Sequence, residues 1–262
     1  MWKKLGIALV VLLLLIAGAA YFLFSNLDSL IKAAIEKYGS AATQTTVAVD
    51  SVHLSLTSGA GSITGVSVSN PAGFSANQAL TLGQAAVQVD TSSIAGSGPI
   101  VISNVTITQP HVTYEVKGLG GTSNLQTIQN NVQAYAGGAQ TASAQPSSTP
   151  ARKEIIKDLY VTGGQISVAA TALNGRSLTV PLPDIHLTNI GQGSGGATPA
   201  QIAAQLLGAI TSDASQAASS ALSKELQSTA AGALQGATGT LKNTGGALGS
   251  SVGGQLKGLL GN

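Results

Sequence analysis

From Thr46 to Ile190 apolar residues recur at every second position, and that period dictates extended chain. Val52, Leu54 and Leu56 alternate with polar residues, and so do Leu80/Leu82, Val87/Val89, Ile100/Ile102, Val105/Ile107 and Val112/Tyr114/Val116. The pattern resumes in Leu159/Val161, Ile166/Val168, Leu178/Val180/Leu182 and Ile185/Leu187. Gly, Pro and Asn clusters separate the segments. A period of two is the side-chain repeat of a strand with one buried face. The pattern therefore predicts a mostly β chain: a curled antiparallel sheet of about eight strands, apolar on one face.

The alternation slips at five places. The apolar set steps by three residues from Val49 to Val52, Ile63 to Val66, Leu82 to Ala85, Ile102 to Val105 and Leu182 to Ile185. One extra residue in a strand is what a β-bulge supplies, and repeated bulges curl a sheet into a gutter. A two-residue turn between short strands gives the same step, and Gly83-Gln84 suits such a turn. The pattern fits both readings.

Ahead of the strands lie twenty uncharged residues, Leu5 to Phe24, directly after Lys3 and Lys4. As a helix they span about 30 Å, the thickness of the hydrocarbon core. Leu5, Val10, Leu14, Ile16, Phe22 and Phe24 are the expected lipid-facing anchor residues. With the lysines in front and Asp28 as the first later charge, the positive-inside rule leaves the N-terminus in the cytoplasm and exports the rest. A cleaved signal peptide is the competing reading. Ala17-Gly18-Ala19 resembles a cleavage site, but Tyr21-Phe22-Leu23-Phe24 carries the apolar run beyond it. With no cysteine in the chain, lipoprotein processing, disulfides and thiolate metal sites are excluded.

The boundaries follow from changes of period. Residues 1–25 form the cytoplasmic stub and anchor. Residues 26–39 form an amphipathic juxtamembrane helix, with Leu27, Leu30, Ile31, Ala34, Ile35 and Tyr38 on one face, Asp28, Lys32 and Glu36 on the other, and Gly39 as its stop. Residues 40–192 carry the sheet. It is interrupted by a helix at 123–136, opened by Ser123 and Gln126, and by a flexible Gly/Ala/Ser/Pro loop at 137–153. Residues 193–262 form a Gly/Ala-rich helical tail that starts with Thr198 as N-cap, Pro199 at the first helical position and Gln201 closing a capping box. Ten glycines after Ala231 predict fraying in this tail. Covering the apolar sheet face is its default role.

Composition narrows the function. Only 8% of residues are charged and 3% aromatic, and the formal net charge is +2. Basic residues come singly or in pairs with no aromatic interleaving, so nucleic-acid binding has no support. His53, His111 and His186 sit on separate strands and do not form a metal set. Asp50, Asp90, Asp158 and Asp184 lie at strand or turn boundaries, where Asp forms turns. No motif pairs a nucleophile with a base, so no catalytic, cofactor or metal residues are assigned and the chain is expected not to be an enzyme.

Several stretches are similar to one known family when taken in order. Ile31–Gly39 (IKAAIEKYG) precedes a Thr-rich lead-in to the strand Val52-His53-Leu54-Ser55-Leu56. Gly61-Ser62-Ile63-Thr64-Gly65-Val66 and the turn Asn70-Pro71-Ala72-Gly73-Phe74 follow. Val180-Pro181-Leu182-Pro183-Asp184-Ile185 and Ile190-Gly191 come before the Thr198-Pro199 helix. Together these resemble the short bacterial members of the AsmA-like family, related in architecture to bridge-like lipid-transfer proteins. The resemblance implies a bacterial inner-membrane anchor, a periplasmic curled sheet with an apolar concave face, and a part in lipid movement and outer-membrane homeostasis.

The expected function is therefore a single-pass inner-membrane protein that binds phospholipid or another acyl lipid in a β-groove. Val52, Leu54, Leu56, Val66, Val68, Val87, Val89, Val105 and Ile107 are the candidate lining. Asn70, Pro71, Gly73 and Phe74 form the turn motif. Eight strands at about 4.8 Å spacing give a groove about 40 Å long, too short to bridge a periplasm unaided. The alternative is a non-enzymatic envelope scaffold whose own helices cover the sheet and whose tail binds envelope proteins or a second copy. An open apolar face favours the first and a helix-covered face the second.

Overall fold

The computed structural model of the chain describes residues 26–117, 121–138, 152–170 and 177–259. The anchor residues Leu5, Val10, Leu14, Ile16, Phe22 and Phe24, and most of the 137–153 loop, lie outside the described residues. No helix among the described residues is long and apolar enough to cross a membrane. The chain divides into two units, residues 1–217 and 218–262.

The first unit holds ten strand segments: β1 Val47–Ala48, β2 Ser51–Leu54, β3 Ala60–Ser69, β4 Gln78–Val89, β5 Ile100–Thr108, β6 His111–Val116, β7 Glu154–Thr162, β8 Gln165–Ala170, β9 Ser177–Pro181 and β10 Ile185–Ile190. Helix α1 is Leu27–Thr43, α2 Thr91–Ala95, α3 Asn124–Gly138 and α4 Pro199–Leu259. All ten segments belong to one open, mixed sheet. The expectation of a purely antiparallel sheet is corrected: β5 pairs β7 in parallel, and β6 pairs β8 in parallel. Parallel neighbours need a long crossover. Helix α3 lies in that connection, which a reading of strand periods does not reveal.

The segments line up into six long strand lines. β1 and β2 lie along β3, which runs along one side of β4. β5 and β6 lie end to end along the other side of β4, β7 and β8 beside them, and β10 and β9 beyond. The register is the same on both sides of each break. Ala48 faces Ser67 and Ser51 faces Thr64, so Asp50 falls opposite Gly65. By the same reading Gly65 falls opposite Gly83, Gly83 opposite Gln109, Gln109 opposite Gly163, and Gly163 opposite Pro183. One transverse row of irregular residues thus crosses all six lines. Three of its members are left-handed: Gly65 at φ 63, Gln109 at φ 50 and Gly163 at φ 65.

This row accounts for the slips in the alternation. Val49 and Val52 are both buried across it, as are Ile107 and Pro110, Val161 and Gly164, and Leu182 and Ile185. Every line carries the same extra residue, so the apolar set stays on one face while the ladder register passes through. A shorter row does the same at Ser103, Lys157 and Asn189, the last at φ 55. It ends against β4 as a register shift between Gln88 and Val89 and accounts for the Ile102 to Val105 step. None of the five steps is a chain reversal. Gly83-Gln84 lies inside β4, which corrects the turn alternative. Such irregularities bend and twist strands.

The core lies on the apolar face. Val112 and Ile166 are fully buried, and Leu159, Val161 and Val168 nearly so. Helix α3 contributes buried Leu125, Ile128 and Val132, and the first turns of α4 contribute Ile202, Ile210 and Ala214. The Tyr114 hydroxyl donates to Ser215 Oγ at 3.2 Å, which ties α4 to β6.

Local signals set the helix starts. Ser123 Oγ accepts from Gln126 N at the start of α3. At α4, Thr198 Oγ1 accepts from Gln201 N while Gln201 Oε1 accepts from Thr198 N, a complete capping box. Helix α1 does not stop at Gly39. It runs to Thr43 and ends with Gln44 at φ 54. Gly39 serves close approach instead, since a Cβ there would sit 3.2 Å from Val47 Cγ1. In the second unit the α4 backbone is helical to Leu259.

Candidate functional site

Two features of the sheet bear on function: the state of its apolar face and the closure of its first edge.

Of the nine candidate lining residues, Val52, Val68, Val105 and Ile107 are buried core. Leu54, Val66, Val87 and Val89 are half-buried. Leu56 is 42% exposed and lies in the turn after β2, outside any strand, so its place in a groove is corrected. The half-buried members are neighbours. Leu54 pairs Gly61, Gly61 pairs Val87, and Val66 pairs Leu82. With Ile63 they form an aliphatic strip over β2, β3 and β4 that is less covered than the β6–β8 half of the same face. The apolar parity is therefore continuous, while its cover is uneven.

The opposite face is polar. It presents His53, Ser62, Thr64, Gln84, Gln88, Thr106, Thr108, His111, Ser167 and His186, which are exposed or half-buried. The three histidines stay apart, each with its own partner. His53 Nδ1 lies 3.3 Å from Asp28 Oδ2, His111 Nε2 lies 3.0 Å from Ser167 Oγ, and His186 Nε2 lies 2.9 Å from Asp158 Oδ1. The His186 ring also stacks on Tyr160 at 4.2 Å. Among the described residues no group of three or more His, Cys, Asp or Glu side chains is placed to hold a metal.

The outer edge of β1–β2 is closed by α1, through the polar row that the i, i+4 spacing placed away from the apolar face. Ser40 Oγ accepts from Val47 N at 2.9 Å, and Glu36 Oε1 from Val49 N at 3.0 Å. Lys32 Nζ donates to Asp50 O at 3.1 Å, and Asp28 Oδ1 accepts from Leu54 N at 3.0 Å. About 18 Å of helix thus runs along about 23 Å of strand. An edge strand exposes unpaired N–H and C=O groups that template aggregation, and these side chains occupy four of them. Leu30 and Tyr38, members of the apolar face, stand 50% and 58% exposed.

The turn motif Asn70, Pro71, Gly73 and Phe74 joins β3 to β4 and is held by residues near the end of β6. The Glu115 carboxylate accepts from Ser75 N, Ser75 Oγ and Ala76 N. Lys117 Nζ sits 4.2 Å from the Phe74 ring centroid. Asn124, fully buried at the start of α3, donates to Asn70 Oδ1 and Thr113 O and accepts from Glu115 N. Every side-chain atom that can bond is used, so this cluster is a structural lock. Sequence reading missed Asn124 and also Arg152. The Arg152 guanidinium donates to the carbonyls of Ser93, Ile94 and Gly98 and holds the α2 loop. Beside it, burial pushes the Glu154 carboxyl above its ordinary pKa.

A cavity of ≈ 470 Å³ lies between α3, the Gly191–Ala197 turn and α4, and another of ≈ 400 Å³ lies beside Asp28, His53 and Leu54. Comparisons with family models, curated proteins and solved structures found no match to the chain.

Proposed function

We propose that the chain is a membrane-anchored periplasmic protein of AsmA-like kind that holds or hands over acyl lipid along the half-covered strip of its sheet. The observation that supports this reading most is the uneven cover of one continuous apolar face. The β6–β8 half is ordinary core, and the strip of Leu54, Ile63, Val66, Leu82, Val87 and Val89 is not fully closed. Each buried CH₂ of an acyl chain is worth about 0.8 kcal/mol, so a short strip suffices to hold a tail. The strip also ends at Leu54, which is bonded to the first turn of α1, three residues after the uncharged run.

The helix cover over Val112, Ile166 and Val168 favours a second reading, an envelope scaffold with a closed core. A photo-crosslinking residue at Leu82 or Val87 of the full chain in labelled-phospholipid vesicles separates the two. Lipid adducts at these positions, and none at Gln84 on the polar face, are the expected result. No lipid adduct on the strip, together with protein adducts in cells, would instead establish the scaffold.

A further inference from the structure

The described residues carry five exposed large apolar side chains: Leu30, Tyr38, Leu56, Ile94 and Leu226. Three of them, Leu30, Leu56 and Ile94, belong to segments that meet at one end of the sheet. Leu30 is in the first turn of α1, whose Asp28 bonds Leu54 N at the end of β2. Leu56 sits two residues later in the β2–β3 turn. That turn packs against the end of β4, where Val89 N donates to Gly59 O at 2.8 Å and Gln88 Nε2 donates to Ser58 O at 2.8 Å. Helix α2 follows at once and presents Ile94. Its carbonyl accepts from Arg152 Nη1 at 2.7 Å, and Lys153 is the next residue.

This is also the end at which the chain comes from the uncharged run. Phe24 and Asn26 are two residues apart, at most about 7 Å of chain. We infer that Leu30, Leu56 and Ile94 form a foot that dips into the surface of the bilayer. Exposed aliphatic tips, with the Arg152 guanidinium fixed beside Ile94 and the Asp28 and Asp90 carboxylates on the same end, suit an interface of acyl chains below and polar headgroups above. The polar row of α1 is committed to the sheet edge, and Leu30 stands 50% exposed. The foot rests on the anchor reading and adds a fixed posture: the sheet stands on the membrane with the Leu54 end of the strip nearest the lipid.

The chain has no cysteine, so single-cysteine labelling is clean. Full-length Leu56→Cys, Ile94→Cys and Gln84→Cys variants, labelled with the environment-sensitive dye NBD, would be reconstituted into phosphatidylethanolamine/phosphatidylglycerol vesicles with or without an acyl-chain quencher. The foot predicts several-fold brighter, blue-shifted and quenchable emission at positions 56 and 94, and water-like emission at 84. Resistance to alkaline extraction reports the anchor separately. Anchored protein with water-like emission at 56 and 94 overturns the foot and leaves the anchor standing. Extractable protein with embedded probes upholds the foot as a peripheral contact, and extractable protein with water-like probes overturns both.

Discussion

Substituting Gly65 tests the transverse row most directly. Gly65 sits at φ 63, and a Cβ there would collide with the Asp50 carboxylate on the neighbouring line. Holding alanine in the left-handed region costs about 1–2 kcal/mol. Crowding it against Asp50 adds about 1–3 kcal/mol, so Gly65→Ala is expected to destabilise the sheet by about 2–5 kcal/mol in total. Gly83 is the next residue of the row, and nothing lies within 4 Å of a Cβ built there. Gly83→Ala is therefore expected to be neutral or to stabilise by about 0.5–1 kcal/mol, because alanine has less backbone freedom to lose on folding. Because the chain has two units, one global unfolding energy is not defined. Hydrogen-exchange mass spectrometry on β3–β5 peptides across a urea series reads the sheet itself. With a urea slope of about 2 kcal/mol/M, the Gly65→Ala midpoint falls by about 1–2.5 M. Adding Asp50→Gly removes the collision and recovers that part of the loss. A Gly65→Ala midpoint indistinguishable from that of Gly83→Ala would refute the left-handed row.

Three further outcomes are expected. The Glu154 pKa is raised in the folded chain, so its stabilising contribution is complete below the ordinary value of 4.5 and is lost as pH rises through the folded value. Glu154→Gln should then match the parent near pH 4 and be more stable at pH 7 in paired thermal melts. Glu36→Ala strips the acceptor from Val49 N and should cost about 1–2 kcal/mol with faster exchange of the Val49 amide, while Glu36→Gln keeps both near the parent. Asn124→Ala leaves Glu115 N, Thr113 O and Asn70 Oδ1 without their partner and should cost about 3 kcal/mol or more by urea midpoint.

Much of the sheet was legible because each strand has one solvated face. The steps at Val49, Ile63, Leu82, Ile102 and Leu182 announced an irregularity in single strands. Their alignment was hidden, because it exists only once Asp50, Gly65, Gly83, Gln109, Gly163 and Pro183 are brought side by side. The parallel pairs were hidden for a related reason: β5 and β7 read like any alternating strands, and only the placement of α3 reverses the return path. Helix α1 and its two faces were recognised, but not the strand edge that its polar row would meet. An i, i+4 row of Asp, Lys, Glu and Ser looks like a solvated face, and nothing local says that a strand edge will claim it. Parity places the candidate residues on the apolar face but does not say where helices cover it.

The shared row also limits how this sheet can change over generations. A codon lost from one strand line at the row would leave that line one residue short of its neighbours. Its apolar residues beyond the row would swing to the Ser/Thr face while every adjoining line kept its own inward. A matching loss in all six lines at once is not an accessible single step. Lineages that keep this sheet should therefore vary freely in the lengths of the connecting turns and hold the count of residues across the row fixed, a signature that an alignment of relatives can be searched for.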